Sequence, residues 1–227
     1  MKTVIIVFPG TNREHDMEAA IKKASGKRPS LVWHKDTDLG KPDLIVLPGG
    51  FSYGDYLRCG AMAAHSPVMK EVIALANKGT RVLGVCNGFQ MLVETRLLSG
   101  ALLRNNSLKF ICKPVYLRTE TANSDFTRAL KKSQTIHVPI AHGEGNYFTD
   151  DATLKSLEDN DQIAFRYCDE NGAVNDSTNP NGSLGNIAGV LNKQRNVMGM
   201  MPHPENATQI WQSNTTGSSV FESLFKI

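Results

Sequence analysis

Apolar residues follow two different rhythms along this chain. In the first half, short unbroken apolar runs alternate with stretches whose apolar positions recur every three to four residues. Val4 to Phe8 is a compact β-branched run and predicts a strand. After the Gly10-Thr11-Asn12 turn, Met17, Ala20, Ile21 and Ala24 mark one face of a helix from Glu14 to Ala24. Leu31 to His34 is a second short strand. Leu44 to Leu47 is wholly apolar, as a strand covered on both faces must be, and Pro48-Gly49-Gly50 stops it. A helical period returns from Val68 to Asn77, a strand follows at Arg81 to Val85, and Phe89 to Leu97 is the next helix, with Met91, Leu92 and Val93 inside it. The order strand, helix, strand, strand, helix, strand, helix predicts an α/β fold with a parallel or mixed sheet covered on both faces.

The second half changes rhythm. Lys109 to Leu117, Thr135 to Ile140, Gln162 to Cys168, Ile187 to Leu191 and Val197 to Met200 read as short strands. They are separated by turn-rich stretches such as Asn179-Pro180-Asn181-Gly182, and some are expected to be antiparallel additions. From Ser218 to Phe225, Val220, Phe221, Leu224 and Phe225 share one helical side and predict a docked terminal helix. No internal repeat or low-complexity tract interrupts the pattern, and residues 1–227 read as a single domain.

Composition narrows the function classes. With 25 Lys+Arg against 22 Asp+Glu, the net charge of +3 comes without a clustered basic face, which argues against nucleic acid and an anionic membrane as partners. Forty-one percent apolar residues and 19 glycines describe a globular chain, not a collagen, a disordered tail or a disulfide scaffold. The apolar run near the N-terminus is shorter than a signal-peptide core or a membrane span. Cys59, Cys86, Cys112 and Cys168 lack CxxC spacing and are too few to staple the chain, so a reducing, cytoplasmic compartment is expected. No metal is expected, because the His and Cys residues lack ligand spacing.

One segment carries chemistry. Gly84-Val85-Cys86-Asn87-Gly88 fits a strand-to-helix nucleophile elbow with cysteine in the reactive position. The strand delivers Cys86 to a sharp turn, the glycines let the backbone crowd, and the helix N-terminus that follows favours negative charge on sulfur. The plainer reading, a small buried thiol at a strand end, stays open. Such a nucleophile needs a base. In Met201-Pro202-His203-Pro204-Glu205 two prolines hold the backbone extended, so His203 and Glu205 project from the same side. Spacing does not decide which histidine reaches Cys86. His15, His34, His65 and His137 have no comparable context and read as structural or solvated, and the other three cysteines read as structural.

These segments also carry a resemblance. Phe8 to Asn12, Leu47 to Ala61, the elbow through Gln90, Ile140 to Gly145, Asn179 to Ser183 and Met200 to Glu205 closely resemble the glutaminase subunits of phosphoribosylformylglycinamidine synthases, within the class I (triad) glutamine amidotransferase family. The stretch from Phe51 to Ala61 is the most specific. The resemblance implies a three-layer α/β/α fold, flavodoxin-like, with a central mostly parallel sheet. It implies that Cys86 attacks the side-chain amide carbon of glutamine, His203 shuttles the proton and Glu205 orients the imidazole. Gly50 then supplies one oxyanion donor beside the Asn87 N–H, although a plain tight turn also explains that glycine. Gln90, one helical turn after Cys86, becomes a substrate contact. His142 and Gly143 become part of the wall around glutamine or of a partner contact, and Arg58 a carboxylate ligand or a surface arginine.

The partners implied are glutamine, a separate synthetase subunit and a small accessory subunit. Released ammonia would travel through a channel to the synthetase, which converts formylglycinamide ribonucleotide to formylglycinamidine ribonucleotide in purine biosynthesis. No cofactor is expected in this chain. ATP and Mg are expected on the synthetase, because neither G-x-x-x-x-G-K-[ST] nor G-x-G-x-x-G occurs here in the right context. A thiol hydrolase of the DJ-1/PfpI-like group, a non-catalytic binding subunit on the same fold and an amidotransferase feeding another acceptor are the competing readings. Asn206 after Glu205, where many members of the family have Arg, is a departure that bears on partner contacts.

Overall fold

A computed structural model describes residues 1–225. In chain order the elements are β1 (Thr3–Val7), α1 (Glu14–Ser25), β2 (Ser30–Trp33), β3 (Leu44–Leu47), α2 (Ala61–Ala64), α3 (Pro67–Asn77), β4 (Arg81–Val85) and α4 (Asn87–Glu94). Then come β5 (Ala101–Leu103), β6 (Ile111–Thr119), β7 (Thr135–His142), β8 (Asn146–Phe148), α5 (Asp151–Asp159), β9 (Ile163–Cys168), β10 (Ile187–Leu191), β11 (Val197–Met200) and α6 (Ser218–Phe225). Nine strands form one sheet in the order β2-β1-β3-β4-β11-β10-β9-β6-β7, and β5 pairs with β8 in a small antiparallel sheet.

The large sheet has two halves. From β2 to β11 every pairing is parallel, and from β11 to β7 every pairing is antiparallel. The parallel half is read from its apolar runs: all four residues of β3 and the last four of β4 are buried, as strands covered on both faces require. The chain steps from β1 to β2 in one direction along the sheet and from β3 to β4 in the other, and the right-handed rule for parallel crossovers then assigns α1 and α3 to opposite faces. α6 packs beside α1, and α4 covers β4 and β11, with Phe89 and Leu92 lying over Gly199 and Gly84. The strand order reverses at β1, so the C-terminal ends of β1, β3, β4 and β11 frame the crevice where this architecture places ligands.

Local signals account for most boundaries. Pro67 starts α3 at a position where a missing N–H costs nothing, and Gly26 closes α1 in the left-handed region at φ 71°. Asp150 caps α5, accepting the Thr153 N–H at 2.7 Å. The apolar period did not announce α5, because the helix buries only Leu157. β5 and β8 are three residues each, too short to alternate visibly. Two shifts matter for chemistry. α4 starts at Asn87, immediately after Cys86, and β7 runs past Ile140 to His142. Of the antiparallel additions, β6 keeps the expected nine residues but lies two positions further along the chain, and β7 is longer than its pattern suggested, at eight residues.

Candidate active site

Cys86 stands between β4 and α4 with φ 52° and ψ −108°, a conformation that costs a side-chain-bearing residue about 1–3 kcal/mol. Neighbours on both sides hold it there. Its N–H donates to Met200 O on β11 at 2.8 Å, and its carbonyl accepts the Gln90 N–H at 3.1 Å, opening the helix. A Cβ on Gly88 would lie 1.9 Å from Leu47 O, so only glycine lets the elbow pack against β3. The thiol is buried and points toward Ala141 O on β7 at 3.7 Å.

His203 follows β11, the strand beside β4. Its N–H donates to Pro139 O at 2.8 Å, and its Nδ1 lies 2.7 Å from Glu205 Oε1, with both side chains buried. A carboxylate at that distance keeps the proton on Nδ1 and leaves Nε2 as the working nitrogen. Burial disfavours the imidazolium. The Glu205 carboxylate and then the Cys86 sulfur outweigh it and hold the His203 pKa above its ordinary value. Nε2 makes no directed hydrogen bond to a described residue, so thiol and imidazole are electrostatic neighbours rather than a closed pair. Such contacts tighten when substrate arrives. Gly49 completes the fit: a Cβ there would meet His203 Cε1 at 2.7 Å.

Two backbone N–H groups near the elbow, those of Asn87 and Gly50, donate no backbone hydrogen bond among the described residues. Asn87 opens α4, where no carbonyl four residues back is available to its N–H. Gly50 pairs with Thr11 in an isolated bridge whose bonds run from Phe51 N–H to Gly10 O and from Asn12 N–H to Gly49 O, leaving the Gly50 N–H outside it. The Asn87 side chain has a task that sequence reasoning missed. Its Oδ1 accepts the Ser52 N–H at 3.1 Å, and its Nδ2 donates to Gln90 Oε1 at 2.8 Å and Asp55 Oδ1 at 3.2 Å. Asn87 thereby ties the elbow to the Phe51-to-Ala61 stretch, a loop that places Tyr53, Asp55 and Leu57 at positive φ. Tyr53 anchors it, with its hydroxyl 2.9 Å from His34 Nδ1 and 3.0 Å from Ser66 Oγ. Burial, with the Glu144 charge adding to it, raises the Asp55 pKa.

The opposite wall comes from β7 and the loop after it. Gln90 is buried; its Nε2 donates to Glu144 O at 2.7 Å and ties that loop to α4, while its Oε1 accepts from Asn87 Nδ2 within α4. His142 is buried beside His203, and burial together with the His203 charge lowers its pKa to about 4. The Gly143 carbonyl accepts the Asn105 N–H at 2.9 Å. Asn181 Nδ2 and Ser183 Oγ both donate to Gly145 O, at 2.8 and 3.1 Å, which gives the Asn179-to-Ser183 turn its place in the site. Asn105 was not anticipated, because Asn105-Asn106-Ser107 reads only as a turn. Arg58 is exposed and its fork closes on Glu94, Nε to Oε1 at 3.0 Å and Nη2 to Oε2 at 2.6 Å. Of the remaining cysteines, Cys168 is buried and Cys112 is exposed on β6.

A cysteine at a strand-to-helix elbow, with an imidazole held by a carboxylate just beyond the neighbouring strand, matches the arrangement a cysteine acyl-transfer site requires. Comparison with known proteins places that site in a class: a family model described as CobB/CobQ-like glutamine amidotransferase domain matches residues 1–225, and the chain belongs to the glutamine amidotransferases. Curated relatives named phosphoribosylformylglycinamidine synthase subunit PurQ match along its length, and the chain belongs to that family. The relative from Rhizobium johnstonii is 52% identical, covering 100% of this chain and 99% of the relative, and that from Chlorobium luteolum is 49% identical, covering 98% and 96%. Among solved structures, a chain of PurLQS from Thermotoga maritima superposes with a TM-score of 0.86 at 42% identity, covering 98% of this chain and 96% of that one. A GMP synthase chain from Thermoplasma acidophilum shares the fold, with a TM-score of 0.64 at 15% identity over 99% and 92%.

Proposed function

We infer that the chain is the glutaminase subunit of a phosphoribosylformylglycinamidine synthase and hydrolyses glutamine to glutamate and ammonia through Cys86, His203 and Glu205. The observation that carries the mechanism is the His203 Nδ1 to Glu205 Oε1 contact of 2.7 Å in the segment that follows β11, the strand next to the one that delivers Cys86. His203 Nε2 takes the thiol proton as sulfur attacks the amide carbon. The oxyanion that forms is met by the Gly50 and Asn87 N–H groups. As the carbon–nitrogen bond breaks, its electron pair stays on nitrogen, which takes the proton from His203, and ammonia leaves a thioester on Cys86. A water, deprotonated by His203, then attacks that thioester, and cleavage returns the thiol and glutamate.

An amide is a poor electrophile with a poor leaving group, and splitting its hydrolysis across a thioester divides one high barrier into two lower ones. Gln90 and the loop from His142 to Gly145 form the substrate wall. The name of the curated relatives and the likeness to a chain of the Thermotoga maritima PurLQS support a synthetase subunit as the recipient of the ammonia. ATP, Mg and formylglycinamide ribonucleotide belong on that subunit, a small accessory subunit completes the assembly, and the reaction takes place in the cytoplasm. Cys86→Ser tests the reading. In the complex, glutamine-dependent synthesis should fall by at least about a thousandfold while synthesis from added ammonia continues. Loss of both activities would make Cys86 a structural residue, and retention of the first would remove the triad from the mechanism.

A further inference from the structure

β7 alternates strictly between half-buried and buried positions, and Ile136, Val138, Ile140 and His142 share the buried phase. His142 therefore occupies a place the strand otherwise gives to aliphatic side chains, at the end that passes Cys86 and His203. A buried imidazole must be hydrogen-bonded or functional. Asn105, itself fully buried, settles half of the question. Its Nδ2 donates to Lys109 O and His142 O, both at 2.9 Å, so its Oδ1 must be the atom 3.1 Å from His142 Nδ1 and 3.1 Å from the Gly145 nitrogen. An amide oxygen only accepts, which puts the hydrogen of His142 on Nδ1 and leaves a lone pair on Nε2. That Nε2 is buried and has no hydrogen-bond partner among the described residues.

The ring is also fixed in place. A Cβ on Gly145 would lie 2.3 Å from His142 Cε1, so the loop closes over the imidazole only because residue 145 is glycine. The low pKa of His142 keeps it neutral wherever His203 can carry charge. The site thus holds two imidazoles with opposite assignments: His203 takes and returns a proton, while His142 offers a lone pair and no proton.

We propose that His142 Nε2 accepts a hydrogen bond from the nitrogen that leaves the substrate carbon and holds the released ammonia in its neutral form beside His203. The proposal rests on the glutaminase reading above and adds a catalytic residue to it. The oxyanion and the substrate carboxylate need donors, and a lone pair offers them nothing. Only the α-ammonium and the amide nitrogen carry N–H groups to give. The amide nitrogen is the one bonded to the carbon that Cys86 attacks, and the Cys86 sulfur lies 3.7 Å from the carbonyl oxygen of Ala141, the residue before His142. After that nitrogen takes one proton from His203 and the carbon–nitrogen bond breaks, the product is NH3. A neutral imidazole with its hydrogen on Nδ1 has no proton on Nε2 to give, so it binds ammonia without protonating it and preserves the nucleophile that a synthetase needs.

A leaving-group comparison tests this, with the full chain assembled with its synthetase subunit and glutamate release as the readout. Glutamine is compared with γ-glutamyl methyl ester, whose leaving oxygen bears no hydrogen until His203 supplies one. In His142→Phe, kcat/KM for glutamine should fall about tenfold or more, the worth of a hydrogen bond made as the bond breaks, while the ester stays within about threefold. If His142→Phe does not fold, His142→Gln, which keeps an acceptor oxygen, should show the same selectivity with a smaller loss. Equal loss for both substrates would make His142 a substrate or structural contact and overturn the proposal. So would a fall in kcat alone, which would assign it to the hydrolytic water, or no loss at all. A wild-type complex that turns over neither substrate would instead sink the glutaminase reading.

Discussion

The parallel and antiparallel halves of the sheet meet between β11 and β10, and they furnish the site by different means. The parallel half works through strand ends. β3, β4 and β11 lie side by side, so their last residues bring Gly49 and Gly50, Cys86 and His203 to one edge without any side chain having to reach. The antiparallel half works through polar side chains. Asn105, Asn181 and Ser183 hold the loop after β7 by hydrogen bonds to its backbone, and Asn105 sets His142 in one tautomer. Reactive groups thus come from the half whose geometry is dictated by sheet pairing, and the surrounding wall from the half that must be tied into place.

That contrast can be broken, and its largest expected effect lies at β11. His203→Ala should lower glutamine hydrolysis by about ten-thousandfold, and Glu205→Gln by less, since orientation and charge are lost but the base remains. Steady-state rates with glutamine decide the order, and equal losses would deny Glu205 its separate role. A smaller effect belongs to β7. In the native state His142 titrates near 4, against 6.5 when unperturbed. As pH falls through that window, the unfolded chain takes up a proton there that the folded chain refuses, so stability declines by up to about 3 kcal/mol. The raised pKa of His203 adds no slope in this window, because its contribution is complete below 6.5 and is lost only toward alkaline pH. Urea unfolding at several pH values should show the decline in the wild type and a shallower one in His142→Gln. The smallest effect is expected at Arg58, outside both halves. Its exposed ion pair with Glu94 is worth no more than about 1 kcal/mol, so Arg58→Ala should change stability within that limit and KM for glutamine little. A large rise in KM would return Arg58 to substrate binding.

The two halves were also unequally legible. Apolar runs mark β3 and β4 almost to the residue because a strand buried on both faces admits nothing else. The elbow is legible because its turn demands glycine at fixed offsets, and residue 88 shows the demand directly in its distance to Leu47 O. β5, β8 and α5 were missed for the opposite reason, since three-residue strands and a helix burying one leucine carry too few apolar positions to set a period. The side-chain partners of Gln90 and Asn87 were not legible, because each reaches a loop distant in the chain.

The amino-acid sequence by itself determined the longer elements, the elbow that carries Cys86 and the candidacy of His203 and Glu205, because each follows from interactions between residues a few positions apart. Which histidine stands beside the thiol and which lone pair is left open were decided only by the tertiary structure. Those pairings depend on strand order and register, and sheet pairing joins segments whose separation along the chain leaves no local trace.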